Sequence, residues 1–194
     1  MRAFVVVGKT AKADGTVRLD DLAGTSGRLD VLLRSVRAAL CVSHGIRRDV
    51  RVYLVMLGGD APRTMRIDGA FARFIRPDER PLATLFLKSI ARADASTETF
   101  VEERAGIAVA CAGIDAVLAD LRGEPLYVLE EGASDIRGTN TTEGAFVIGD
   151  QNGFDAELRA HLAEAGAQPI CVGPTSLHTD DVITVLNNEL DRAM

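Results

Sequence analysis

Three short segments decide the fold: Leu126–Glu130 (LYVLE), Phe146–Phe154 (FVIGDQNGF) and Ile170–Asp181 (ICVGPTSLHTDD). Each is an apolar, strand-like run that breaks into a loop. The first loop runs Glu130, Glu131, Gly132, Ala133, Ser134. The second is Gly149 to Phe154, and the third begins Gly173, Pro174, Thr175, Ser176, Leu177. Loops that follow strands at the carboxyl end of a parallel sheet are where α/β proteins hold ligands. Glycine lets main-chain N–H and C=O groups come close to such a ligand. An adenine ring needs main-chain hydrogen bonds at its edge and apolar walls on its faces, and Leu129, Ile148, Val172 and Leu177 are suited to be those walls. By composition alone, the same three loops are also ordinary turns of an α/β domain.

Working outward, strand-like and helix-like runs alternate along the chain. Ala3–Val7 is a strand. Residues 28–43 carry apolar residues at helical spacing and end at His44-Gly45, a C-cap signal. Residues 50–57 (VRVYLVML) form a strand, and 66–74 a weaker extended stretch with a turn at Asp68-Gly69. A helix is predicted from Pro81 to Ala91, with proline at its start. Strands follow at 106–110, 126–130, 146–148 and 169–172. Helices are predicted at 114–121, 155–165 and 179–192. The polar stretch 91–105 reads as a mobile surface segment. This alternation predicts an α/β fold with a mainly parallel sheet, in a single domain over 1–194.

Composition narrows the classes. The chain has 194 residues and a net charge of −6, which argues against a strongly basic nucleic-acid binder. Only Lys9, Lys12 and Lys88 are lysines; the other basic residues are arginines. Cys41, Cys111 and Cys171 are scattered and odd in number, so neither a disulfide framework nor a zinc site is expected. They read as small buried hydrophobes in a reducing cytosol. The first residues, MRAFVVVGKT, make a strand rather than a signal peptide, and no apolar run has membrane-spanning length. Neither a G-x-G-x-x-G after the first strand nor a phosphate-binding G-x-x-x-x-G-K-[ST] occurs, so an ordinary nucleotide-binding oxidoreductase is disfavoured. His44, His161 and His178 are dispersed, and no metal is expected.

Taken together, FVIGDQNGF and ICVGPTSLHTDDVITVLNNELDR resemble the SPOUT methyltransferases, and within them the tRNA pseudouridine-54 N1-methyltransferase family and its bacterial relatives. SGRLD (Ser26–Asp30), SHGIRRDV (Ser43–Val50), YLVMLGG (Tyr53–Gly59), PRTMRIDG (Pro62–Gly69) and IRPDER (Ile75–Arg80) extend the resemblance over nearly the whole chain. It implies a SPOUT-type α/β fold: a mainly parallel sheet flanked by helices, with a C-terminal deep trefoil knot inside about 126–194. It also implies a cytoplasmic homodimer that binds S-adenosylmethionine and methylates N1 of a pseudouridine in the tRNA T-loop, by direct displacement and with no covalent enzyme intermediate. The family's cofactor contacts fall on Leu129, Gly149 and Val172, Gly173, Pro174, Thr175, Ser176, Leu177. Some members place a cysteine near the start of the last helix, where this chain has Val182; a main-chain contact survives that change and a thiol role does not. A SPOUT enzyme acting on another RNA, such as rRNA, and a knotted RNA-binding dimer without catalysis are the alternatives.

On the RNA side, Arg28, Arg47, Arg48, Arg63, Arg66, Arg76 and Arg80 cluster in the N-terminal half. Arginine pairs with phosphates and stacks on bases. The competing role is self-pairing with Asp30, Asp49, Asp78 and Glu79. Loss of the N1 proton calls for a carboxylate, and Asp30 and Asp78 are the candidates; both also sit where a helix begins, as caps do.

Overall fold

A computed structural model describes residues 1–94, 96–139 and 141–193. In chain order the elements are β1 (Arg2–Gly8), α1 (Leu22–Thr25), α2 (Leu29–Leu40), β2 (Cys41–Val42), β3 (Gly45–Ile46), β4 (Val50–Met56), β5 (Arg63–Asp68) and α3 (Glu79–Ile90). There follow β6 (Val101–Arg104), β7 (Ile107–Ala110), α4 (Ile114–Asp120), β8 (Leu126–Asp135), β9 (Gly144–Gly149), α5 (Ala156–Glu164), β10 (Gln168–Cys171) and α6 (Thr179–Arg192).

The main sheet has the order β10-β8-β9-β1-β4-β5-β7-β6. The five strands from β10 to β4 are parallel, and β5, β7 and β6 continue the sheet antiparallel. Strands buried on both faces read as unbroken apolar runs, and β1 is buried at all seven positions. Phe4 and Val6 face one layer, formed with α2, α3 and α6; Ala3, Val5 and Val7 face the other, with α4 and α5. Tyr127, Phe146 and Phe4 stand in register on β8, β9 and β1, with ring centroids 5.2 and 5.9 Å apart. Offset aromatic contacts of this kind add to burial.

Helix α6 lies against α2 and is clasped to β1. Arg2, 3% exposed, donates from Nη1 to Asn187 Oδ1 and Asp191 Oδ1, both at 2.8 Å. Asn187 Nδ2 donates to the carbonyls of Ala38 and Ala39 at the end of α2.

Three local expectations are corrected. The helix predicted to run to Ser43 stops at Leu40, and β2 and β3 form a small hairpin with His44 in its turn. The polar stretch 91–105 contains the edge strand β6; Val101, Glu102 and Arg104 are partly or fully exposed, so no burial pattern marks it. Ala95, inside that stretch, lies outside the described residues. The three cysteines are half-buried rather than buried.

Candidate functional site

Because β1, β4, β8, β9 and β10 are parallel, their carboxyl ends share one edge of the sheet. An excursion within β8 and the loops after β9 and β10 meet there, against α2 and the start of α6, around a cavity of about 1090 Å³.

Strand β8 is built to feed this cavity. Val128 pairs with Pro169, but the next residue of β10, Ile170, pairs with Ser134. The residues between Val128 and Ser134 therefore leave the ladder, and Leu129, Glu130 and Glu131 line the cavity. Gly132, at φ +76°, sits in the left-handed region where only glycine is unstrained. The β9 loop is held by Asp150, 7% exposed: its Oδ2 accepts from Lys9 N at 2.9 Å, and its Oδ1 accepts from Asn152 N at 2.8 Å. Gly149 packs so tightly on this turn that an added Cβ would lie 3.0 Å from Gly153 Cα. Thr179, the first residue of α6, donates from Oγ1 to the Gly149 carbonyl at 2.8 Å. Ser176 Oγ donates to Glu131 at 2.6 Å and joins the third loop to the first.

Of the residues expected to contact the cofactor, Leu129, Gly149, Val172, Gly173, Thr175, Ser176, Leu177 and Val182 all line the cavity; Pro174 does not. Ile148 and Phe154 complete the apolar walls. Among the described residues, no main-chain group from Gly173 to Leu177 is hydrogen-bonded within the chain. Pro174–Leu177 are exposed, so the N–H and C=O groups of this loop stand open to a ligand beside apolar walls, an arrangement that fits a nucleoside. Glu130, Glu131, Asp150, Asp180 and Asp181 outnumber the lining cations Arg28, Arg34 and Arg159, a balance that suits a sulfonium and an ammonium. The donor set therefore fits S-adenosylmethionine.

Asp30 does not line the cavity; it lies behind the wall at 5% exposure. Its carboxylate accepts from Arg28 at 2.9 and 3.1 Å and from Arg34 at 2.8 Å. Burial alone would raise its pKa; the two guanidinium groups outweigh that and hold it below the ordinary carboxylate value. It does not cap α2 either, for Ser26 Oγ accepts from Leu29 N. Asp78 occupies the N-cap position of α3 without a side-chain cap bond, is exposed, and is not among the residues around the cavity.

The seven arginines are dispersed. Arg28 lines the cavity. Arg47 forms a two-pronged pair with Asp191 at 2.9 and 2.6 Å. Arg48 donates to the carbonyls of Gly69 and Ala72 rather than to Asp49. Arg63 lines a separate cavity with Lys12 and bonds the Pro62 carbonyl. Arg66 lies with Tyr53 on the opposite sheet face, bonded to Asp120 and 5.0 Å over the Phe100 ring. Arg76 and Arg80 are exposed and make no ion pair with Asp78 or Glu79 within 4 Å.

Asp150, Arg34, Arg159, Asp180 and Asp181 went unassigned from sequence. The i, i+4 spacing of Asp30 and Arg34 on one helix face was a usable signal, as was Asp150-x-Asn152, an Asx-turn pattern. Among the described residues no group of His, Cys, Asp and Glu is placed to hold a metal. Among the described residues no helix is long and apolar enough to cross a membrane.

The cavity at this end of the sheet has the lining that a methyltransferase cofactor would need. The chain belongs to the family described as putative SAM-dependent RNA methyltransferases, whose model matches residues 1–194. It is 40% identical over 196 residues to the tRNA (pseudouridine(54)-N(1))-methyltransferase of Methanosarcina acetivorans, covering all of this chain and 92% of that protein. It is 42% identical over 197 residues to the enzyme of the same name from Halobacterium salinarum, covering 100% and 97%. The fold matches the crystal structure of Archaeoglobus fulgidus Nep1 bound to S-adenosylhomocysteine, with a TM-score of 0.70, 15% identity, and 99% and 98% coverage.

Proposed function

We propose that this protein methylates N1 of pseudouridine 54 in the tRNA T-loop, using S-adenosylmethionine held by the excursion within β8 and the loops after β9 and β10. The observation that carries the reading is the convergence of those loops on one cavity, with the main chain of Gly173–Leu177 unspent. The names of the full-length relatives supply the target.

Bound cofactor supplies a methyl group made electrophilic by its sulfonium. The chain's part is to hold the target nucleoside in line with that methyl, since alignment supplies most of the rate. Asp30 positions Arg28 and Arg34 rather than taking the N1 proton, because both its oxygens already accept from guanidinium groups, and that proton passes to solvent water. Arg28, at the cavity wall, faces the incoming nucleotide.

In this reading 1–194 is one domain. Its chain passes through the loop between β8 and β9 on the way from β10 to α6 and so ties a trefoil knot within about 126–194. Support comes from the path: β10 lies outside β8, whereas α6 returns to β1 and α2, and on the way Ser176 touches Glu131. The enzyme works as a homodimer packed across this segment, where Leu177 remains 42% exposed. It acts in the cytoplasm, where its tRNA is found.

The test is nucleoside mass spectrometry of a T-arm hairpin carrying pseudouridine after incubation with enzyme and S-adenosylmethionine. N1-methylpseudouridine is expected. A methyl group recovered on another nucleoside, or only on an rRNA fragment, would move the assignment to a different RNA target.

A further inference from the structure

The connection between β5 and α3 leaves Phe71 66% and Phe74 86% exposed. Scattered exposed apolar residues are common. Two large rings within four residues are less ordinary in a chain with 5% aromatic residues. Phe74 also has φ +62°, a left-handed conformation that disfavours any residue with a Cβ. The backbone therefore holds this ring out in water at a conformational cost. Buried Ala72 and half-buried Ile75 anchor the segment on either side of it.

Arg73 and Arg76 flank the ring. Both are exposed, and among the described residues neither has a hydrogen-bond or ion-pair partner within the chain. Arg47, Arg48 and Arg66, by contrast, are spent internally. Two guanidinium groups without partners among the described residues thus lie within two residues of an exposed ring, on a protein whose net charge is −6.

The segment also connects to the site. Pro77 lines a groove of about 680 Å³ between α2 and α6. Arg34, Asp180 and Asp181 line both that groove and the proposed cofactor cavity, so the two adjoin. Arg37, in the groove, supplies another cation.

We infer that Phe71, Arg73, Phe74 and Arg76 form a stacking platform for unpaired RNA flanking the target nucleotide. Aromatic faces accept any base, and arginines hold the adjoining phosphates. Interleaved cations favour a polyanion over a purely apolar protein partner. The inference rests on the RNA-methyltransferase reading but not on which nucleoside is methylated.

The chain contains no tryptophan, so Phe74→Trp introduces a single reporter in the full-length protein. The emission of this introduced indole should be quenched saturably by a T-arm hairpin and by a short oligouridine, and left unchanged by blunt double-stranded RNA. Phe74→Ala should weaken hairpin binding by about tenfold, the scale of one lost base–aromatic stack, with S-adenosylmethionine affinity by calorimetry unchanged. Arg73→Gln and Arg76→Gln should each flatten the salt dependence of hairpin binding by about 0.7 of a log–log slope unit, the value for one phosphate of a single strand. Unmoved indole emission of the Phe74→Trp protein at saturating hairpin, or wild-type affinity in Phe74→Ala, would overturn the platform. So would indole emission that depends on protein concentration without RNA, together with a Phe74→Ala protein that sediments at lower mass, since the rings would then belong to a contact between two copies. Failure to methylate pseudouridine with these binding changes intact would remove the target assignment and leave the platform standing.

Discussion

Arg34 Nη1 reaches back one helical turn to Asp30 Oδ2 at 2.8 Å, while its Nε lies 3.7 Å from Asp180 on α6. Arg28 approaches the same carboxylate from the other side. One buried anion thereby fixes two cations at the cavity and ties α2 to the start of α6. Asp30→Asn keeps the size and removes the charge. It should lower kcat/KM for RNA by about 100-fold through misplacement of the reacting groups, with S-adenosylmethionine affinity unchanged. Equal loss of cofactor affinity in calorimetry would show that Asp30 serves the cofactor instead.

The same carboxylate makes stability depend on acid. Its folded-state pKa lies below its unfolded value of about 3.9. The stabilisation is therefore present above that value and lost as pH falls through the folded pKa. Denaturant melts of wild type and Asp30→Asn should differ at neutral pH by about 1.5–3 kcal/mol, the range for hydrogen bonds to charged groups, and converge as pH falls below about 4. A gap that persists at low pH would mean that packing, not charge, supplies the difference.

Gly173 has φ +136°, and nothing lies within 4 Å of where its Cβ would be, because it faces the cavity. Alanine there would strain the backbone and intrude on the space. Gly173→Ala is expected to weaken S-adenosylmethionine binding by at least about tenfold, equivalent to roughly 1.4 kcal/mol, and the backbone strain to lower Tm without cofactor by about 2–4 °C per kcal/mol. Unchanged binding would place the cofactor elsewhere.

Two further substitutions separate stability from function. Asn187→Ala removes bonds to Arg2, Ala38 and Ala39 in a buried clasp. It should cost about 2 kcal/mol and lower Tm by roughly 4–8 °C. Tyr53, whose pKa is raised by burial and then by its 2.6 Å bond to Asp120, lies on the opposite sheet face. Tyr53→Phe should lower Tm and leave methyl transfer per folded molecule unchanged; a selective loss of activity would implicate that face in catalysis.

The central strands and α6 were legible in the sequence because burial on both faces of β1 and β4, and helical spacing over 179–192, leave strong periodic marks. Edge strand β6 was not, since exposure erases the pattern. The three cavity loops were readable from glycines after strands, and the resemblance then gave them a ligand. The excursion of β8 was invisible: Glu130–Ser134 reads as a loop after the strand 126–130, and only pairing with β10 shows that the ladder breaks after Val128 and resumes at Ser134. Sequence placed the arginines in one half of the chain. It could not show that Arg66 faces away from the cavity, because side-chain direction on β5 depends on register with β4 and β7.

The most direct test uses two tRNA transcripts that differ only at position 54, uridine in one and pseudouridine in the other, incubated with enzyme and labelled S-adenosylmethionine. Label is expected on the pseudouridine transcript alone, recovered as N1-methylpseudouridine. Equal labelling of both transcripts, or of neither while the cofactor still binds, would contradict it.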